Sequence, residues 1–227
     1  MTNHQKTAKE FKDILGLQSP LIGVKYTAQP DLRGNLDLKM AACEAIDVVR
    51  REKSVVNLTK ETCNCVGGQY YLGLAPIPKE QIIKVMKDIH KMFASEELTQ
   101  KFLEQVPPPK DRGGVVVLAP LSDMPQEPEL VLCLCNAEQA NKVISLLMYS
   151  GLQPFMYNLV SAGCTSLSNS IVTGNVDINF ITDHARRRVQ NFSFNELVIA
   201  LPFNKFMEAA ANIPYAGAGR KDKVPDS

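Results

Sequence analysis

The amino-acid sequence predicts an α/β fold, with α+β as the alternative. It reads as two related halves forming a pseudo-two-fold domain, with a mixed sheet and flanking helices. Three observations carry this. Short apolar runs of strand length alternate with segments of helical periodicity. A pattern of Asn-Leu, cysteine and glycine recurs at one fixed separation. Each half also ends in an apolar run closed by proline, Val116-Val117-Leu118-Ala119-Pro120 and Val198-Ile199-Ala200-Leu201-Pro202.

Residues 5–16 are rich in helix formers and stop at Gly16, which predicts an opening helix. Leu21 to Tyr26 follows Pro20 and reads as a strand. A loop holding Pro30 and Gly34 leads to a helix at about 39–52, where Met40, Cys43, Ile46 and Val49 recur three apart. Ser54 to Leu58 is a short strand, and Thr62 to Gly73 reads as a cysteine-bearing turn entering a short helix. Pro76 and Pro78 break the chain before helices at 79–93 and 95–105. Ser95 caps the second of these, but Leu98 stands where a capping box takes Glu or Gln. Pro107-Pro108-Pro109 is a linker, and Val115 to Ala119 a buried strand.

In the second half, Leu130 to Cys135 is an apolar strand. Asn136 caps a helix running to about Tyr149 and closed by Gly151. Phe155 to Leu159 is a strand, and Cys164 opens a helical stretch that ends at Gly174. Val176 to Ile181 alternates apolar with polar and predicts a strand exposed on one face. Ala185 to Arg188 forms a short basic helix or turn. Leu197 to Leu201 is the last strand and 203–212 the last helix. The predicted divisions are an N-terminal helix (1–18), a first half (19–121), a second half (122–213) and a disordered tail (214–227), with both halves in one compact domain.

The chain has 227 residues, 45% hydrophobic and 22% charged, enough for a sizeable core. A net charge of +1 gives no electrostatic case for nucleic acid or an anionic membrane as partner. The polar start Met1 to Lys6 lacks the apolar core of a secretory signal, and no apolar run nears the ~18 residues that span a bilayer. The expected location is cytoplasmic, with the six cysteines reduced and a small molecule or metal as partner. A homo-oligomer stays open.

The repeat bears on function. Leu58 of Asn57-Leu58 precedes Cys63 by five residues, and Gly73 lies ten further on. Asn158-Leu159, Cys164 and Gly174 repeat this, each 101 residues later. Halves packed about a pseudo-two-fold would set equivalent positions facing one another, and Cys63 and Cys164 would meet at one site. Against this stands a plainer reading in which both cysteines pack helix starts against strands.

The densest chemical feature is Cys63-Asn64-Cys65-Val66-Gly67-Gly68. A helix start stabilises a thiolate, and thiolate is the form that binds metal or attacks an electrophile. Gly67 and Gly68 let backbone approach a bound group and offer N–H donors to it. The Cys-x-Cys spacing matches neither zinc nor ferredoxin patterns, so a site here needs ligands from separate segments: Cys43, Cys63, Cys65 and Cys164. Four thiolates suit zinc or an iron–sulfur cluster. Cys133 and Cys135 sit two apart in an apolar strand and read as core. His4 lies at the N-terminus. His90 sits among Lys87, Asp88 and Lys91 and reads as solvated, which leaves His184 as the histidine to test. Arg186-Arg187-Arg188 is either a solvated turn or an anion clamp, with Arg186 as its candidate ligand group. Tyr70 and Tyr71 line the cleft or belong to the core.

As an ordered set, Cys43, the Cys63…Gly67-Gly68…Leu72-Gly73 segment, Ala119-Pro120, the Cys164 segment with Gly174, and Leu201-Pro202 resemble the domain of unknown function 169 family. The resemblance covers about residues 10–210. It implies an α/β cytoplasmic protein, of a kind found in archaea and anaerobic bacteria, with no assigned activity. The chain departs from that family's pattern twice. Asn64 and Cys65 intervene where members often carry proline after the turn cysteine. Thr182-Asp183-His184-Ala185-Arg186 lacks a cysteine that members often carry there. If that cysteine is a ligand, either Cys65 or His184 replaces it here or the site is altered.

The leading expectation is a cysteine-ligated metal or iron–sulfur site between the halves, with a redox role open to it. The alternatives are a metal-free enzyme using Cys63 as nucleophile, a small anionic-ligand module using Gly67, Gly68 and Arg186, and a structural protein whose cysteines are all core.

Overall fold

The computed structural model describes residues 2–110, 112, 114–151, 155–158, 163–184, 187, 191–193 and 195–219. Its apolar runs become the strands β1 (Ile22–Thr27), β2 (Val56–Leu58), β3 (Val115–Pro120), β4 (Leu130–Cys135), β5 (Phe155–Asn158), β6 (Val176–Asn179) and β7 (Leu197–Pro202). They form one sheet in the order β2-β3-β1-β4-β7-β6-β5. The β5–β6 pairing is parallel and the others are antiparallel, so the sheet is mixed.

Helices cover both faces at β4 and β7, and at β3 one face lies under helices while Val115, Val117 and Ala119 pack against Met124 and Val55, which is why all three read as continuous apolar runs and are buried throughout. One face, carrying Val24, Leu118, Leu132 and Ala200, packs beneath α2 (Ala42–Glu52), α3 (Val66–Tyr71), α4 (Lys79–Lys84), α5 (Glu96–Gln105) and α7 (Gly163–Thr173). The other, carrying Val131, Cys133, Ile199 and Leu201, packs against α1 (Asn3–Leu15), α6 (Ala137–Tyr149) and α8 (Phe203–Ala211). Cys133 and Cys135 lie in this second core, as their spacing predicts.

The strand pairings on the two sides of the sheet's centre line up, but a pseudo-two-fold relating the halves is not established. Around the central β1–β4 pair, Ile22 faces Leu132 and Leu130 faces Val24. Ile22 also faces Pro120, and Leu130 faces Pro202. Outward from that pair the order is β1, β3, β2 on one side and β4, β7, β6, β5 on the other, alike but for the inserted β6. The correspondence does not extend to the connecting helices. α2 covers the face that carries α3 and α7, whereas α6 covers the opposite face. The chain spends residues 28–41 between β1 and α2, but only Asn136 between β4 and α6.

Two expectations change. β6 is not exposed on one face: Asp177 and Asn179 are buried beneath α7. Asn169 Nδ2 donates to Asp177 Oδ2 (2.7 Å), and Asn179 Nδ2 donates to Ser166 Oγ (2.8 Å). The polar half of the alternation faces a buried polar helix, a case that period-2 patterning cannot tell from solvent. The helix expected at 79–93 is α4 followed by a π-helical turn, Val85–Ile89.

Phe11 of α1 is fully buried, its ring 5.2 Å from that of Phe206. Phe11→Ala is expected to cost about 3–5 kcal/mol, read as a lowered urea midpoint. A loss within about 0.5 kcal/mol, the scale of a surface substitution, would show that α1 is not part of the cooperative core.

Candidate functional site

The first-half cysteines are brought together by backbone. Met40 N donates to Thr62 O (3.0 Å) and Asn64 N donates to Met40 O (3.1 Å), which stitches the chain before α2 to the cysteine turn. Thr59 N donates to Thr62 Oγ1 (2.8 Å) and shapes that turn. Cys43 is the second residue of α2. Cys65 is the N-cap of α3, and its Sγ accepts from Gly68 N at 3.4 Å. α7 packs against both α2 and α3, and Cys164 is its second residue.

Cys43, Cys65 and Cys164 line one cavity of about 220 Å³, together with Gly67, Thr165 and Asp183. The other wall is a stripe of Ile82, Val85, Met86, Ile89 and Met92, with His90 set in it. Cys63 is not part of the lining. It lies behind Cys65, buried, and its thiol donates to Cys65 O at 3.8 Å. Gly68 makes this layering fit, since a Cβ there would meet Ala42 Cβ and Cys63 Sγ at 2.9 Å. At Gly67 the nearest atom to such a Cβ is Cys65 Sγ at 3.9 Å.

Burial pushes the Cys164 thiol well above its ordinary value, and Cys43, Cys65, Cys63 and Asp183 push it further. The three first-half sulfurs are therefore within electrostatic reach of the Cys164 sulfur. Burial also lifts Cys63 to about 11, with the backbone hydrogen bond to Cys65 pulling the other way. The helix-start argument for a thiolate thus does not apply to Cys63: it precedes α3 by three residues and is neutral at pH 7. Among the described residues, no three or more His, Cys, Asp or Glu side chains are drawn together at metal-holding range. The sulfurs share a cavity without converging on a point. No disulfide links any of the six cysteines.

His90 is a participant that the sequence does not single out. Its Nδ1 lies 2.9 Å from Asp183 Oδ2, and the Asp183 side chain is 2% exposed. The charged neighbours Lys87, Asp88 and Lys91 mask a usable signal: Ile82, Met86 and His90 fall four apart on one helical face. His184 is exposed and lines a separate depression beside Asn136 and Phe180. Arg186 and Arg188 lie outside the described residues. Arg187 is buried, its guanidinium donating to the carbonyls of Phe180, Ile181, Ser193 and Glu196, so it braces a loop rather than clamping an anion. Tyr70 and Tyr71 both belong to the core, and Tyr71 also lines the cavity. No helix among the described residues is long and apolar enough to cross a membrane.

A family model described as uncharacterised ArCR, domain of unknown function 169, matches residues 10–212. An uncharacterised protein of Methanocaldococcus jannaschii is 22% identical over 227 residues, covering 93% of this chain and 94% of that protein. No solved structure matches.

Gly68→Ala is expected to cost about 1–3 kcal/mol by overpacking, while Gly67→Ala is neutral or slightly stabilising, both read by urea unfolding. Equal effects would contradict the close approach at Gly68. In metal-free protein at pH 8, mass-spectrometric mapping with iodoacetamide is expected to label Cys65 first, with Cys63 and Cys164 at least about tenfold slower and accelerating as pH rises toward 11, the value to which Cys63 is lifted. Labelling of Cys63 ahead of Cys65 would reverse the assignment.

Proposed function

The chain belongs to the domain of unknown function 169 family, whose description assigns no activity, and on that premise we propose that it holds a soft metal, zinc or an iron–sulfur cluster, on cysteine thiols. The observation that carries this is the shared cavity: Cys43 and Cys65 from the first half and Cys164 from the second line it together. Cys63 supplies a further sulfur directly behind.

The electrostatics support a cation as occupant. Buried thiols that repel one another as anions stay protonated. A metal ion reverses this, because ligation replaces protons and cancels the repulsion. α2 and α7, each of 11 residues, both present their N-terminal ends here, and their dipoles favour thiolate charge. Sulfur donors select zinc or iron–sulfur clusters over magnesium or calcium. An anionic small molecule fits less well. Among the described residues His90 is the only basic side chain in the lining, and Asp183 opposes an anion.

Ligation draws the sulfurs inward to metal–sulfur bonds of ~2.3 Å. Protein purified anaerobically, or reconstituted with zinc or with iron and sulfide, is expected to carry stoichiometric metal by elemental analysis. The triple variant Cys43→Ala/Cys65→Ala/Cys164→Ala is expected to lose it, and Cys133→Ala and Cys135→Ala to keep it. Wild-type protein that takes up neither metal, or a triple variant that loads equally, would end the proposal.

A further inference from the structure

Resting on the thiol-site reading above, we infer that His90 is the nitrogen ligand of that site, through Nε2, and that Asp183 positions it. The ligand set is then Cys43, Cys65, Cys164 and His90, with Cys63 behind it.

The hydrogen bond between His90 and Asp183 sets the tautomer. Nδ1 of His90 and Oδ2 of Asp183 are 2.9 Å apart. An ionised carboxylate can only accept, so Nδ1 carries the hydrogen, and it is Nε2 whose lone pair is open to a metal once its own proton is displaced. Metal-ligating imidazoles are commonly held this way: the second ring nitrogen donates to a carboxylate, which fixes the tautomer and makes the ligand more basic. His90 and Asp183 both line the cavity that Cys43, Cys65 and Cys164 line.

The backbone fixes where the ring sits. His90 N donates to Val85 O (2.9 Å), closing the π-helical turn, and Met92 N donates to Met86 O (2.9 Å). Lys91 follows at φ 55°, and Met92 returns to the cavity wall. His90 is thus a polar group set between Ile89 and Met92 in an otherwise apolar stripe. π-helical turns are frequent at functional sites. A solvated surface histidine needs no buried carboxylate, yet the side chain of Asp183 is 2% exposed.

Cys63 is the competing fourth ligand, and the structure separates the two. Cys63 is absent from the lining and its thiol is directed at Cys65 O. Three sulfurs and one imidazole form a regular ligand set for zinc.

Cobalt(II) is the probe, added anaerobically to the full chain labelled with ¹⁵N-histidine. The chain has 3 histidines, so the label is easily assigned. The wild type is expected to show thiolate-to-cobalt charge transfer and ¹⁵N hyperfine coupling. His90→Ala and His90→Gln should keep the charge transfer, lose the coupling and bind at least about tenfold more weakly. Asp183→Asn should alter the coupling and weaken binding about 10-fold or more, with partial rescue by Asp183→Glu. Cys63→Ala, His4→Gln and His184→Gln should keep the coupling. Circular dichroism of His90→Gln confirms that it folds. Charge transfer without ¹⁵N coupling in the wild type, or unchanged cobalt spectra in both His90 variants, overturns the role of His90 and leaves the thiol site standing. If iron and sulfide alone load the protein, the same coupling is read on the reduced cluster, and its presence or absence decides the role of His90 in the same way. A wild type that loads neither fails the thiol reading itself, and this inference with it.

Discussion

The close approach of three helix starts, those of α2, α3 and α7, above one face of the sheet is the constraint on which the rest depends. It requires Gly68, because any side chain there collides with Ala42 and with Cys63. It also requires the Met40 stitch, which holds the entry of α2 against the cysteine turn. Once these are met, three thiols must share one space. The crowding is felt most at Cys164, whose thiol is pushed well above its ordinary value by burial and then by the neighbouring Cys43, Cys65 and Cys63.

The two sides of the cavity are held by different forces. α7 is fixed by directional bonds as well as by the apolar burial of Leu167. Ser168 Oγ donates to Pro107 O (2.8 Å), Ser170 Oγ donates to Ala200 O (3.2 Å), and Asn169 and Asn179 join the helix to β6. Directional bonds of this kind specify one geometry more sharply than oily contact does, although Asn169 Oδ1 is buried without a hydrogen-bond partner. This is why Cys164 sits where it does, and why α7 tolerates so many serines on a buried face. The opposite wall is the π-helical turn, held by Ile82 and Met86 in the core and by the His90–Asp183 pair, with Ile89 66% exposed.

Much of this is legible in the sequence, for physical reasons. Continuous apolar runs mark strands covered on both faces, and β3, β4 and β7 obey that. The recurrence of Cys63 and Cys164 is matched in structure only at its far end: Gly73 and Gly174 both follow the cysteine helices at positive φ, 64° and 68°, whereas Cys63 precedes α3 by three residues and Cys164 lies inside α7. What the spacing cannot show is depth. It makes Cys63 the principal thiol, whereas the turn puts Cys65 at the cavity and Cys63 behind it. Nor can it show that α6 departs to the far face, since this depends on connection length rather than on the apolar pattern. His90 escapes a reading of the sequence because local charge outweighs a four-residue spacing that only tertiary contact makes meaningful. Asp177 and Asn179 escape it because a polar residue aimed at a buried helix looks, in sequence, like one aimed at water.

The departure of this chain from the family pattern near residue 183 has a structural counterpart. The stretch Thr182-Asp183-His184 carries no sulfur, and of its two ionisable groups it is Asp183, not His184, that reaches the cavity. A carboxylate there does not simply substitute for a thiol, because oxygen is a harder donor than the sulfurs around it. It is better placed to hold a borderline donor, imidazole, and the histidine it holds comes from the other half of the chain. The second half therefore contributes twice to one cavity, through Cys164 and through Asp183. The first half closes the ring with Cys43, Cys65 and His90. A site assembled in this way forms only when both halves are folded on a common sheet, which ties the chemistry of the cavity to the β1–β4 pairing at the centre of the molecule.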